Sequence, residues 1–202
     1  KSLKENIDIP VTIKIRAGWD FYSINCDEVA RLACKAGVDA ITIHGRTRSQ
    51  LYTGTSNLEY IKMVKDVSTV PVIGNGDIKD IESAKKMFDV GVDGIMIGRA
   101  SMGNPFIFKE LTTYFDSGKI ISSPSKELII NTLLDHAKRL YLDKGEHIAM
   151  IEMRTHAAWY LKLIPGTKAY RSAIVSVKTI DELEKQYNDG RPMFLFYQDE
   201  KP

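Results

Sequence analysis

Two short apolar runs that break off in glycine constrain this chain more than any other feature. They are Pro71-Val72-Ile73-Gly74-Asn75-Gly76-Asp77-Ile78 and Gly94-Ile95-Met96-Ile97-Gly98-Arg99. An apolar run of this length, closed by glycine and followed by a helical pattern, reads as a buried parallel strand. The glycines open turns whose backbone N–H groups can face an anion beside a helix start, and Arg99 stands next to the second. Two such turns in successive βα units point to one phosphate held from two sides. That is where (β/α)8 barrels hold a phosphate, after their last two strands.

The same unit recurs upstream. The pattern predicts strands at 11–16, 40–45, 70–74 and 94–98, and helices at 24–36, 58–67 and 80–90. Asn25 or Ser23 would cap the first helix and Gly37 stop it; Asp80 would cap the third. Asn104 opens a further short helix, with Pro105 suited to its first position. The phrases at 36–41 (Ala-Gly-Val-Asp-Ala-Ile) and 90–95 (Val-Gly-Val-Asp-Gly-Ile) nearly repeat one another, an echo at the level of the βα unit. Such alternation means a parallel sheet with right-handed crossovers. A doubly wound sheet is the alternative, although its glycine-rich turn usually follows the first strand.

Between Ser117 and Ser125 the composition turns to Ser, Gly and Pro, and beyond it the strands stop. Apolar spacing predicts helices at 126–144, 146–164 and 168–177, and the capping-box spacing at Thr179-Ile180-Asp181-Glu182 opens another. The stretch Phe194-Leu195-Phe196-Tyr197 has no assignment. The expected architecture is therefore α/β: the C-terminal half of a (β/α)8 TIM barrel over 1–118, then a small helical bundle over 119–202. Half a barrel would expose two sheet edges and its apolar lining. Either a missing N-terminal half, or self-association or strand exchange, is expected to cover them. The lack of an initiator Met agrees with an N-terminus that is not the natural one.

Composition narrows the class. No run reaches the ~18 apolar residues of a membrane span, and 1–10 does not read as a signal peptide. A net charge of +2 is too small to announce a nucleic-acid partner by itself, so the clustering of basic residues matters more. Cys26 and Cys34 lie in one helical stretch with no CxxC partner or adjacent His, which reads as core thiols in a reducing compartment rather than a metal site or disulfide.

At the C-terminal ends of the expected strands, Lys14, His44, Asn75 to Asp77, and Gly98-Arg99 face one mouth. Lys14 lies in an apolar strand with Arg16 on the same face. Pointing inward it needs an anion, because an unpaired buried charge is costly; an edge lysine reaching water is the other reading. His44 alone is equally a structural histidine. Arg99 can fork onto a phosphate, or form a rim ion pair.

These residues carry a resemblance. Thr12-Ile13-Lys14-Ile15-Arg16-Ala17-Gly18-Trp19, Ile43-His44-Gly45-Arg46-Thr47-Arg48, Gly74-Asn75-Gly76-Asp77-Ile78, and Gly98-Arg99-Ala100 through Gly103-Asn104-Pro105 look like the tRNA-dihydrouridine synthases, most like the bacterial B type. Met153-Arg154-Thr155-His156 with Trp159-Tyr160-Leu161-Lys162 resembles the helical-domain signature of that family. The match runs in order from residue 11 to about 175. It implies an FMN-dependent cytoplasmic enzyme that reduces the C5–C6 double bond of tRNA uridines, with NADPH recharging the flavin.

By that similarity Lys14 would contact the pyrimidine side of the flavin and His44 would line it. Asn75, Gly76 and Asp77 would hold the ribityl–phosphate arm, and Gly98 and Arg99 the phosphate. tRNA would be met by Arg46 and Arg48 on a flexible loop, and by Arg154, His156, Lys162 and Lys168 of the helical domain. Trp159 and Tyr160 either stack on RNA or pack the bundle. The catalytic Cys of the family sits in an Asn-x-Gly-Cys-Pro setting that is absent here, so the piece alone is expected not to catalyse. Two other readings stand beside this one. The first is an FMN barrel acting on a small molecule, in the manner of dihydroorotate dehydrogenase; the second is a catalytically silent RNA-binding remnant.

Overall fold

The computed structural model describes residues 1–167 and 176–188. Most of the helix expected at 168–177, with Lys168, and the stretch at 194–197 lie outside the described residues. Contacts divide the chain into two compact units, 1–100 with 110–117, and 101–109 with the described part of 118–202. Residues 101–109 thus fall with the second unit rather than the first.

In the first unit a short helix, α1 (Ser2–Asn6), precedes four strands: β1 (Thr12–Arg16), β2 (Ala40–His44), β3 (Val72–Asn75) and β4 (Gly94–Met96). Helices α2 (Cys26–Lys35), α3 (Leu58–Val67) and α4 (Ile81–Asp89) connect them. Every pairing is parallel and the order is β1-β2-β3-β4. A doubly wound sheet reverses its order after one crossover; these four strands do not. With right-handed crossovers, sequential order sets the connecting helices on one face.

The register separates the two faces. Ile15, Ile43, Gly74 and Ile95 are partners across the sheet and point one way. Ile41, Ile43 and Val72 on this face are fully buried, as are Ile61 and Val64 of α3; each such side chain stabilises by about 1.5–3 kcal/mol. A Cβ at Gly74 would meet Met87 Cγ of α4 at 2.9 Å, so the glycine lets that helix close on the sheet.

The near-repeat of Gly-Val-Asp now has a physical reason. Asp39 Oδ2 accepts the Val11 N–H at 2.6 Å, and Asp93 Oδ2 accepts the Val72 N–H at 2.8 Å. Each aspartate, just before its own strand, satisfies an amide at the start of the preceding one: Val11, directly ahead of β1, and Val72, the first residue of β3. Lys4 and Lys65 neutralise the two carboxylates. Helix starts are capped as well: Asp80 and Ser83 form a reciprocal capping box, while Asn57 accepts from Glu59 N. Asn25 occupies the cap position of α2 without a side-chain bond, and Gly37 follows that helix at φ +88°.

Beyond β4 a 3₁₀ turn (Arg99–Ser101) leads to α5 (Phe106–Ser117), longer than the short helix expected. The second unit holds α6 (Lys126–Lys144), α7 (Glu146–Leu161) and α8 (Ile180–Asn188). Its core joins Ile129, Leu133 and Ala137 of α6 to Met150, Met153, Ala157 and Leu161 of α7, with Leu183 of α8. Among the described residues no helix is long and apolar enough to cross a membrane.

Candidate functional site at the strand ends

The sheet face turned away from the helices is mostly polar, interrupted by Ile73 and Met96. Lys14 and Arg16 of β1, Thr42 and His44 of β2, and Asn75 of β3 share it, because Arg16, His44, Asn75 and Met96 are register partners across all four strands. Lys14 is exposed, and no carboxylate among the described residues ion-pairs with it. Desolvation on the face, then the Arg16 charge, lower its pKa. Arg16 Nη1 donates to the carbonyls of Thr47 (2.7 Å) and Leu51 (3.1 Å), and so ties the loop after β2 to β1.

Arg46 lies where the sequence reading did not put it. Expected on a flexible loop against tRNA, it is 1% exposed. Nε donates to Thr53 O (3.1 Å) and Nη2 to Gly54 O (2.6 Å). Nη1 and Nη2 fork onto Asp77 at 2.9 and 2.7 Å, and Nη1 also reaches His44 Nε2 at 3.5 Å. These contacts account for all five N–H donors of a guanidinium, leaving none for a ligand. The reason is non-local: the loop folds over its own arginine, and a carboxylate 31 residues later faces it.

Asp77 is likewise committed to the protein. Its carboxylate accepts from Arg46, from Ser56 N at 2.8 Å and from Arg99 Nη2 at 3.0 Å. Partial burial would raise its pKa, but these donors hold it below the usual carboxylate range. Any hold of Asp77 on a ligand is left to its backbone, which sits at φ +56°. Gly76, at φ +126°, has no space for a side chain: a Cβ would fall 2.7 Å from Ser56 Cβ and 2.9 Å from His44 Cδ2.

The two glycine loops meet. Besides the Arg99–Asp77 pair, Asn75 Nδ2 donates to Met96 O at 2.8 Å. Arg99 is half exposed and lies over the Tyr52 ring, 4.8 Å from its centroid. A Cβ at Gly98 would meet nothing within 4 Å, so the space beside this loop is open. Arg99, the Asn75–Asp77 turn and Gly98 thus border one site.

His44 is 6% exposed, and burial, aided by the charges of Arg16, Lys14 and Arg46, lowers its pKa to about 4. The imidazole is therefore neutral at neutral pH, with Nε2 facing the Arg46 donor. The unfolded chain binds this proton near pH 6.5 and the folded one only near 4, so stability falls as pH drops through that window. The loss is expected to approach about 3 kcal/mol by pH 4. A His44 ring resonance titrating near 4 checks this; a midpoint near 6.5 would contradict it.

The remaining expected tRNA contacts are divided between the two units. Arg48 is exposed, its guanidinium 4.9 Å from the Trp19 ring centroid. In the second unit Lys162 is exposed with Nζ 3.4 Å from the Trp159 centroid, and Arg154 Nε donates to Val177 O at 3.3 Å. His156 lies beside His136, ring centroids 4.8 Å apart. Tyr160 is packed, 5% exposed, whereas Trp159 is half-buried. Cys26 is buried, its Sγ 3.6 Å from Tyr60 O, and Cys34 Sγ lies 3.7 Å from Ser68 Oγ. No group of His, Cys, Asp and Glu among the described residues could hold a metal ion. The sequence reading missed Tyr52, Ser56 and the anchoring role of Arg16. Tyr52 had a signal, an aromatic in a polar loop after a strand; the other two had none.

A parallel sheet of successive βα units, carrying its cations and glycine turns at the C-terminal strand ends, defines a class of α/β proteins whose sites are built from βα loops. Over residues 1–191 the chain matches the family described as Dihydrouridine synthase (Dus), and it belongs to that family. It is 39% identical over 176 residues to tRNA-dihydrouridine synthase B of Pseudomonas aeruginosa, covering 87% of this chain and 53% of that relative. Identity to the protein of the same name from Pseudomonas putida is 40% over 189 residues, 93% of this chain and 55% of the relative. A probable tRNA-dihydrouridine synthase 1 of Synechocystis is 36% identical over 183 residues, 90% and 51% of the two chains. The chain spans about half the length of the curated relatives it matches.

Proposed function

We propose that this chain forms the cofactor-phosphate side and the tRNA-facing part of an FMN-dependent tRNA-dihydrouridine synthase. The sheet would be the C-terminal half of a (β/α)8 barrel within 1–118, and 119–202 a helical tRNA-binding domain. Its sequential strand order with one face free of the connecting helices supports the barrel reading. Among the described residues no strand pairs with the outer edges of β1 and β4, which suits completion by another half-barrel, or self-association. The relatives, named as tRNA-modifying synthases, support the substrate and a cytoplasmic setting.

One observation carries the proposal: the Asn75–Asp77 and Gly98-Arg99 loops are adjacent, beside a sheet face bearing Lys14, Arg16 and a neutral His44. That donor set fits an anionic cofactor, because the one carboxylate at its centre, Asp77, is already neutralised by Arg46. When bound, FMN would supply the hydride for reduction of the uridine C5–C6 bond, with NADPH as the source of electrons. Arg99 would orient the phosphate by its half-exposed guanidinium, kept in place by Asp77 and Tyr52. Lys14 would present a cation where negative charge collects on a reduced ring. His44, uncharged, would offer shape and a hydrogen bond without adding a proton.

The Arg99→Ala variant is expected to bind FMN more weakly by about 1.5–3 kcal/mol, the worth of a charged hydrogen bond. Titration followed by flavin fluorescence measures it. Unchanged affinity would remove the phosphate assignment, and with it the supporting geometry for a flavin enzyme.

A further inference from the structure

The loop after β1 holds large aromatic side chains out in water. Trp19 is 63% exposed and Phe21 62%. This is not a loose loop. Arg48 N donates to Gly18 O and Ser49 N to Trp19 O, both at 2.9 Å, so the loops after β1 and β2 are laced together at Trp19 itself. Asp20 Oδ1 accepts from Tyr22 N (2.9 Å) and Ser23 Oγ (2.8 Å), which closes a turn and engages that carboxylate oxygen within the loop. A Cβ at Gly18 would meet Ile24 Cα at 2.9 Å, so the tight turn requires glycine there.

Arg48 covers one face of the Trp19 indole at 4.9 Å, and the high exposure of the residue leaves the other face to solvent. A rigid, exposed indole backed by a cation has the chemistry of a stacking platform for an unpaired base, with Arg48 placed for the adjoining phosphate. We propose that Trp19, backed by Arg48, stacks on an unpaired nucleotide of the RNA substrate at the strand-end mouth. The proposal rests on the tRNA reading above and adds a recognition residue to it. A protein partner would also value an exposed Trp, but the guanidinium backing favours an anionic aromatic ligand.

The chain has two tryptophans, so in a Trp159→Phe background Trp19 reports alone. Unmodified tRNA and a single-stranded oligouridylate are expected to quench its emission, while heparin at matched charge is not. Trp19→Ala should weaken tRNA binding by about tenfold, within the range for one base–aromatic stack, and Trp19→Phe should restore part of it. Arg48→Gln should lower the salt dependence of binding. RNA binding with unaltered Trp19 emission and unaltered affinity in Trp19→Ala overturns this proposal and leaves the tRNA reading standing. Equal quenching by heparin also overturns it. No RNA binding at all overturns both.

Discussion

Replacing Arg46 with alanine is expected to destabilise the first unit by about 3 kcal/mol, at the lower end for a buried ion pair broken from one side because the Asp77 carboxylate keeps some solvent. The variant strands that carboxylate and deprives the carbonyls of Thr53 and Gly54 of their donor. Arg46→Lys should recover little, since an ammonium cannot fork onto Asp77 and reach both carbonyls from one position. Urea unfolding of the Trp159→Phe background, followed through Trp19, isolates this unit. A change below about 1 kcal/mol, the surface ion-pair range, with a loss of RNA affinity, would return Arg46 to the RNA-binding role read from the sequence. On the flavin reading proposed above, the variant would also bind FMN more weakly, because Asp77, freed of Arg46, would draw Arg99 away from a phosphate.

The second large effect is expected at Gly103. It sits at φ +66°, and a Cβ there would collide with the backbone of α7 at Trp159 and Tyr160, with Trp159 Cβ 2.7 Å away. Gly103→Ala must both adopt a left-handed backbone and push a helix aside, together about 3 kcal/mol or more. Gly118 supplies the control: its φ is +70°, but nothing lies within 4 Å of an added Cβ. Gly118→Ala should cost only the strain, about 1 kcal/mol. Unfolding of the second unit followed through Trp159 emission in a Trp19→Phe background compares the two. Equal losses would mean that the close approach at Gly103 carries no energy.

The elements were legible because their signals are local. Apolar runs, glycine stops and the Asp80 cap need only neighbouring residues to be read, and observed bounds differ from the expected ones by a few residues at strand and helix ends. The repeated Gly-Val-Asp was visible as a pattern, but its purpose, holding an amide at the start of the preceding strand, was not. Gly103 was visible as part of a motif, and the approach of α7 that demands it was not.

Residue types alone determined the βα alternation, the position of two glycine turns at strand ends, and Arg99 beside the second. Tertiary structure alone decided that Arg46 is an internal clasp while Arg48 faces water, although both lie in one Arg-x-Arg phrase. It also decided that Asp77 binds arginines, and that Trp19 is held outward. The physical reason is sequence separation. Periodicity declares which side of an element is buried, but a charge is buried or exposed according to whether a partner arrives, and here the partner arrives from 31 residues away.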